Sequence, residues 1–541
     1  MSTFGDYKAY KKFAPSYNDW KQSRDLADVK RQEYLRKNPS EINNDDIQRS
    51  RTLLRAIDVM DEYSQKRAED MEVATETVVG YGLELASMLG MGVAALLVFM
   101  TPLKNVFKKY VKDPEKLSVI MAIGSMLAGG IGGTLAAFPL FAWAAKAEVK
   151  ASRKGRFEAM RKELSDAKTF AVLNEEQENQ LRNNLVALST VKEKKNPFGS
   201  FKEKWNTFKS MVTDSPEYQI QKIEFDNRLK IDEAHWDKEL TEKEIEDAKR
   251  NQQLLTKLVE KIDIASQDYA ENAELATAAV VSTLFGMSSL FTLLYEKIAG
   301  KMGLKKTAVP MGLGMLLSVG ASIICANIQK QASRVGRFKI KQELLKNPEQ
   351  LVYVSDEKTN EITDVKIEPY KKLNVFKFLK EAYKNNKEFE KWKKTEGAKE
   401  KQLAKAMENI EISEEQLKDA RLLQHSTFKT FNKVDENSQK YSESIEALGQ
   451  AIQYPISMIC GAVGLLFGMK HLTKAMKSKT QDMTVPMLKY ISAIFLSILP
   501  SFAINAYVTK EQKKASRVAD MIAINEMQDY RHFADYSRYR K

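Results

Sequence analysis

The chain has 541 residues and a mean hydropathy of −0.42, the average of a charged protein with room for several domains. Lysine and arginine total 85 against 72 aspartate and glutamate residues, so the net charge of +13 favours an anionic membrane surface as the partner. Acidic residues interleave with the basic ones along the polar segments, and we therefore expect no nucleic-acid binding. The only cysteines are Cys325 and Cys460, which excludes a disulfide scaffold and a cysteine-based zinc site.

Several apolar blocks stand out from this polar background. A helix of about 20 apolar residues spans the ~30 Å hydrocarbon core of a bilayer, at a rise of about 1.5 Å per residue. We therefore predict an all-α integral membrane protein with six spans, paired as three transmembrane hairpins at 78–145, 276–328 and 447–508. The blocks are 78–103, 117–145, 276–295, 308–328, 447–469 and 490–508.

The hairpins belong to three tandem repeats. Each copy opens on a Ser-Gln pair followed by an acidic stretch, continues into its hairpin and closes on the tripeptide Ala-Ser-Arg. The pairs are Ser64-Gln65, Ser266-Gln267 and Ser438-Gln439, and the tripeptides begin at Ala151, Ala332 and Ala515. One copied supersecondary unit explains these ordered landmarks better than a shared juxtamembrane composition does. We place the repeats at 1–170, 171–350 and 351–541.

An aromatic and lysine-rich segment precedes the polar part of each copy. Its aromatic residues recur at steps of three and four, so they fall on one face of a helix. We predict helices that lie in the headgroup plane with their lysines toward lipid phosphate; the alternative is that these faces pack as ordinary protein core. The candidate membrane-surface residues are Trp20, Phe198, Trp205, Phe376 and Trp392, together with Arg153, Arg334 and Arg517 beside the hairpins.

Long polar stretches without glycine or proline come next and favour long helices. They are 40–79, 217–285 and 398–448. The second follows Ser215-Pro216, a helix start signal, and would be roughly 100 Å long if straight, so we expect it to bend back on itself near the membrane. Its apolar residues keep no strict heptad, which favours a helical bundle over a coiled coil. At 351–367, two short apolar runs around a polar turn predict a β-hairpin insertion in the third copy's leading segment.

Small residues at four-residue steps line several predicted spans. Such steps let helix backbones approach closely, so we expect the spans to pack together or to form homo-oligomers, although membrane helices are rich in glycine in general. The residues are Gly82, Ala86 and Gly90 in the first span, Gly129 and Gly133 in the second, and Gly464 and Gly468 in the fifth. Glu84, an acidic residue inside the first block, is a candidate for ion or proton passage; the alternative is that the span starts later and Glu84 lies at the interface.

Topology follows from the N-terminus and the number of spans. The first residues contain no apolar leader segment, so we expect the N-terminus to stay in the cytoplasm. With an even number of spans the C-terminus returns to the same side. We therefore expect both termini and the large polar regions on the cytoplasmic side.

The sequence carries no recognisable catalytic pattern. Its four histidines are scattered without metal-ligand spacing, and it contains no phosphate-binding loop and no nucleophile elbow. We therefore expect neither an enzyme nor a bound metal or cofactor. The leading hypothesis is a membrane scaffold that presents helical modules and takes the bilayer, anionic headgroups and membrane-protein partners as its ligands. The alternative is a transporter or channel in which the hairpins form a pseudo-threefold six-helix bundle.

Overall fold

In the described residues, long α-helices are joined by short turns, several of them 3-10 helical. The computed structural model describes residues 3–68, 70–71, 147, 150–188, 216–302, 308–363, 365, 373–395, 402–477 and 484–539. These residues contain helices and no β-strand, so the prediction of an all-α fold is confirmed for them. In the same part of the chain, no helix combines the length and apolar character needed to cross a membrane. The predicted hairpin at 78–145 lies outside the described residues.

The helices are numbered here in chain order. They are α1 Thr3–Phe13, α2 Tyr17–Lys37, α3 44–68, α4 150–162, α5 Glu175–Leu188, α6 Pro216–Lys230, α7 Glu242–Val259, α8 Ala265–Met302, α9 Ala308–Lys346, α10 Asp356–Asn360, α11 Val375–Thr395, α12 Leu403–Met407, α13 Glu414–Lys477 and α14 Thr484–Glu526. A π-helical turn, Glu260–Ile264, joins α7 to α8. The 64 residues of α13 make it about 96 Å long.

The polar stretch of the second copy is interrupted rather than forming one straight helix, but the break, at 231–241, lies well before the membrane boundary near which we expected the stretch to bend back on itself. Helix α6 begins at Pro216 and ends at Lys230, and a 3-10 turn follows it. Helix α7 starts again at a capping box. There, Thr241 Oγ1 accepts a hydrogen bond from the Glu244 N–H, and Glu244 Oε2 accepts one from the Thr241 N–H at 2.8 Å.

The second and third copies each contain a pair of antiparallel helices, α8 with α9 and α13 with α14. Close approach of α13 and α14 depends on glycine. An ideal Cβ on Gly449 would lie 2.6 Å from Val508 Cγ1, and one on Gly468 would lie 3.0 Å from the Tyr490 carbonyl oxygen. Gly468 therefore occupies a helix contact of the kind predicted for it, and Gly464 lies one turn before it in the same helix.

The three copies close into a ring within one chain. The second helix of each copy packs against the first helix of another: α4 against α13, α14 against α8, and α9 against α3. The contacts include the side-chain pairs Arg156–Asp435, Arg517–Glu271 and Arg337–Asp61. Copy one thus meets copy three, copy three meets copy two, and copy two meets copy one.

A hydrophobic core holds the first helices of the ring together. The residues seven positions before each Ser-Gln pair, Ile57, Val259 and Phe431, are all buried in one cluster. One turn earlier, Leu53 and Leu255 are fully buried in the same cluster. Equivalent positions of the repeat therefore form a common core. Burial of each side chain of this size stabilises the fold by about 1.5–3 kcal/mol.

The β-hairpin predicted at 351–367 is wrong. Leu351 ends a 3-10 turn, 352–355 is extended, and α10 follows; the described part of this range contains no strand. A side chain replaces the partner strand, because the Gln253 amide donates to the Val354 carbonyl at 2.8 Å and accepts from the Val354 N–H at 3.1 Å. Similar 3-10 turns follow α4 and α14, at Ala167–Phe170 and Tyr530–Phe533, so the segment is part of the repeat rather than an insertion.

Gly155→Ala should destabilise the protein, because α4 passes very close to α3 at this residue. An ideal Cβ on Gly155 would lie 2.8 Å from the Ser64 Cα, and a backbone atom cannot move aside without moving its helix. We expect the free energy of unfolding to fall by about 1–3 kcal/mol. The matched control is Gly320→Ala, where the new methyl group meets open space and the free energy should be unchanged or slightly higher. Equal effects of the two substitutions would contradict the close approach.

Candidate functional site at the junction of the repeats

Two positions of the repeat place charged side chains where the copies meet. An aspartate stands three residues before each Ser-Gln pair, and a second charged residue stands four residues after the serine of each Ala-Ser-Arg. The aspartates are Asp61, Asp263 and Asp435, and the second set is Arg156, Arg337 and Asp520. The first set belongs to the first helices and the second set to the second helices. Ring packing therefore brings the two sets face to face.

The interface between α4 and α13 contains a direct ion pair. Arg156 Nη1 donates a hydrogen bond to Asp435 Oδ1 at 2.7 Å, and the guanidinium lies 5.4 Å from the centre of the Phe431 ring. The Arg156 side chain is 8% exposed. Because so little water reaches this pair, removing one partner would leave a buried charge, which costs several kcal/mol.

The interface between α9 and α3 carries a denser ionic cluster. Arg337 pairs with the carboxylates of both Asp61 and Asp263. One turn further along α9, Lys341 Nζ lies 2.6 Å from Asp61 and also pairs with Asp58. Burial alone would raise the pKa of Asp61, but Arg337 and Lys341 outweigh burial and lower this pKa to about 2. Asp61 is therefore ionised at neutral pH.

The interface between α14 and α8 departs from this pattern. Asp520 stands where Arg156 and Arg337 stand in the other copies, so the third copy supplies an acid in place of a base. Burial and the neighbouring Asp263 raise the pKa of Asp520 well above its usual value, against the opposing effect of Arg337 and Arg156. Burial also raises the pKa of Asp435, and Arg156 only partly offsets that rise.

Arginines of the Ala-Ser-Arg tripeptides form an outer set of ion pairs across the ring. Arg153 pairs with Glu443, and Arg517 pairs with Asp268 and Glu271. The side chains of Arg153 and Arg517 are 12% and 10% exposed, so they lie between helices rather than on the surface where we predicted lipid headgroups to bind them. The prediction of a surface position for these two arginines is therefore corrected. Arg334, the third member, borders the cavity described next.

A polar cavity of about 280 Å³ lies between the three copies. Every copy contributes to its lining at equivalent positions. The charged residues are Asp61, Asp263, Asp435, Asp520, Arg156, Arg334, Arg337 and Lys513, and the hydroxyl groups come from Ser64, Ser438, Ser442, Ser152, Ser333 and Ser516. Equivalent residues of three copies can surround one space only if that space lies near the axis that relates the copies. The cavity is therefore axial.

In the described residues, the aromatic segments of α1, α2 and α11 pack mainly as protein core. The indole N–H of Trp20 on α2 donates to Asn525 Oδ1 of α14 at 3.0 Å. Trp392 on α11 packs against Phe338, with ring centroids 5.2 Å apart. Phe376 differs, since 80% of it is exposed. Of the predicted membrane-surface aromatics in the described part of the chain, Phe376 thus has the exposure that a lipid contact needs.

Several predicted positions lie outside the described residues. They are Phe198, Trp205, Glu84, Gly82, Ala86, Gly90, Gly129 and Gly133. The predictions for these residues therefore remain predictions.

The axial aspartates are not among the candidate residues predicted from the sequence. A usable signal was present, because the pattern Asp-x-x-Ser-Gln recurs in all three copies with identical spacing. The exchange of arginine for Asp520 was visible as well, in the departure of the third copy after Ala-Ser-Arg. The sequence does not reveal the order in which the three copies close into a ring. That order decides which acid faces which base.

Comparison with known proteins does not assign the chain to a family. No family model, no curated protein and no solved structure matches the chain. In the described ranges, no group of three histidine, cysteine, aspartate or glutamate side chains is placed to hold a metal ion. The role of the junction must therefore be argued from its own residues.

Arg337→Met should be strongly destabilising, because it leaves Asp263 and Asp61 without the cation they share. We expect a loss of about 3–5 kcal/mol in the free energy of unfolding at neutral pH. The loss should shrink as the pH falls, because an unpaired buried carboxylate has a raised pKa and can take up a proton. Denaturant titration at several pH values measures both effects.

The control for this prediction is Arg36→Met. Arg36 pairs with Glu33 on the exposed face of α2, and its side chain is 74% exposed. Removing it should leave stability unchanged at every pH. A similar loss of unfolding free energy in both variants would show that the axial ion pairs contribute no more to stability than an exposed ion pair does.

Proposed function

We propose that this chain is a non-catalytic membrane scaffold. Three helical hairpins anchor it in a bilayer, and the ring of polar helices stands on the cytoplasmic side, where it presents surfaces to partner proteins or shapes the membrane. The proposal joins the six apolar blocks of the sequence to one observation on the helices that the structure describes.

That observation is the distribution of exposed apolar side chains along the hairpins. Far from the junction, both pairs of helices expose large apolar groups that water would disfavour. On α8 and α9 these are Met287, Leu290, Ile323 and Ile324, and on α13 and α14 they are Val463, Phe467 and Tyr507, with exposures between 42% and 67%. A concentration of this kind marks a surface that another apolar phase covers.

Closer to the junction, the same helices bury their apolar residues. Ala273 on α8 and Ile328 on α9 are at most 3% exposed, and α11 covers them. Exposure of apolar side chains thus begins at a similar level on both sides of the hairpin, at Ala279 on α8 and Ile324 on α9. This change along one helix pair is what a bilayer boundary would require, because the part in lipid needs no protein cover.

Helix α11 supports contact with anionic headgroups. Its N-terminal half packs near Ala273, whereas its C-terminal half packs on Phe338, so Phe376 lies toward the exposed apolar zone. Its outer face also carries a row of exposed lysines. They are Lys377, Lys380, Lys384 and Lys387. An aromatic ring beside a lysine row fits the interface between hydrocarbon and lipid phosphate.

The double variant Ile323→Lys with Phe467→Lys should weaken membrane anchoring. Each lysine adds a cost of about 2.5–3.5 kcal/mol at mid-membrane depth and less nearer the interface. We expect the unmodified chain to remain in vesicles after alkaline carbonate washing and to float with them in a density gradient. The double variant should be partly extracted.

The matched control is Ile220→Lys with Ile223→Lys. These isoleucines of α6 are 57% and 59% exposed but lie outside the hairpins, so their replacement should not affect extraction. Complete release of the unmodified chain by carbonate would refute the anchoring. If the chain is anchored, sealed vesicles that cluster or deform when it is added would support a scaffold.

One observation favours the second candidate, a channel or transporter. The axial cavity is polar, and it is lined by residues that flank all three predicted hairpins in sequence. A pathway along the axis would pass through this cavity before it entered the membrane. Reconstituted vesicles loaded with a pH-sensitive dye would report proton flux, and Asp263→Asn should reduce that flux. Tight vesicles with unmodified protein would leave the scaffold as the better proposal.

A further inference from the structure

We propose that Asp520 forms a proton-binding site in the axial cavity, beside Asp263, and holds one proton at neutral pH. The proposal goes beyond the scaffold function, because it concerns the junction and holds whether or not the hairpins enter a bilayer. It rests on the geometry of the ring, the burial of Asp520 and the balance of charge around it.

The ring leaves one aspartate facing an acid. Arg156 of copy one faces Asp435 of copy three, and Arg337 of copy two faces Asp61 of copy one. By the same order, position 520 of copy three meets Asp263 of copy two. Two interfaces therefore have an arginine opposite the aspartate, whereas the third has a second aspartate.

Copy three has no arginine at position 520, and Arg337 replaces it only in part. Arg337 forms ion pairs with both Asp263 and Asp61, so one guanidinium is shared by two carboxylates. Asp520 is 3% exposed and lines the cavity, and in the described part of the chain its carboxylate has no hydrogen bond and no ion pair. A buried carboxylate without a partner is far more stable when it is protonated.

Charged groups from every neighbouring element decide the sign of the effect. Asp520 faces Asp263 from the π turn, Arg337 from α9, Arg156 from α4 and Asp435 from α13, while Asp61 of α3 and Lys513 of α14 line the same cavity. The two arginines are already engaged with Asp61, Asp263 and Asp435. Arg334 of α9 lines the cavity as well, so four cations face four carboxylates, but none of the ion pairs formed in the described part of the chain includes Asp520.

Burial and the nearby charge of Asp263 both favour the protonated form of Asp520. Since the folded state holds this proton more tightly than the unfolded chain does, Asp520 contributes stability below its raised pKa. That stability is lost as the pH rises through the raised pKa.

The first test is infrared spectroscopy of the full-length protein. A protonated carboxylic acid in an apolar site gives a carbonyl band separate from those of carboxylates. We expect this band in the unmodified protein at neutral pH, its loss at high pH, and its loss at neutral pH in Asp520→Asn. No such band in the unmodified protein at neutral pH would overturn the proposal, and this readout does not depend on any variant folding.

The second test compares melting temperatures over a range of pH. Asp520→Asn should melt at a higher temperature than the unmodified protein above neutral pH, and the difference should grow as the pH rises. Asp520→Arg, which restores the residue of the other copies, should behave in the same way because its guanidinium can pair with Asp263. Lys257, whose pKa burial and Arg31 lower to about 7, titrates in every variant, so the difference between proteins is the readout.

The control is Asp237→Asn, a change at a side chain that is 73% exposed, which should leave the pH profile unchanged. A constant difference between Asp520→Asn and the unmodified protein at all pH values would overturn the proposal. So would a difference that disappears when sodium and potassium are replaced by choline, because the occupant would then be a metal cation rather than a proton.

Discussion

The structure depends on one contact made between copies, in which a basic residue of a second helix meets an aspartate of another copy's first helix. These charges are largely buried, so each pair gains little beyond what water would have given its members. Their main effect is on register. A shift of α9 by one turn would break the ion pairs that Arg337 makes with Asp61 and Asp263 and those that Lys341 makes with Asp58 and Asp61. The fold therefore has few alternative ways to close the ring.

Close packing between backbones adds a second constraint on register. Gly155 of α4 and Gly336 of α9 are equivalent, and each lies against the serine of its own Ser-Gln pair. In the first copy the hydroxyl groups of Ser64 and Ser152 are 2.6 Å apart, so the opening and closing landmarks of the repeat touch. The landmarks recur because they are the two sides of one contact, which fixes where each pair of helices begins to separate.

Much of this fold could be predicted from the sequence, and the errors have clear physical causes. The absence of glycine and proline at 398–448 correctly predicted a long helix, and Pro216 marked a helix start. The run Val352-Tyr353-Val354 wrongly predicted a strand. A glutamine side chain satisfies the backbone groups that a partner strand would otherwise bind. Pattern alone could not reveal this, since Gln253 is distant in sequence from the segment it caps.

The candidate site shows the same limit more sharply. Equivalent positions can be aligned from sequence, but an alignment does not say that position 520 faces Asp263 rather than Asp61. The order of the copies in the ring shows which aspartate position 520 faces. That order therefore decides the effect of having aspartate rather than arginine at this position. Three equal acid–base pairs would neutralise one another and leave nothing at the axis for a ligand to balance. One acid in place of a base leaves Asp520 buried near Asp263 at this interface, beside a cavity that all three copies line.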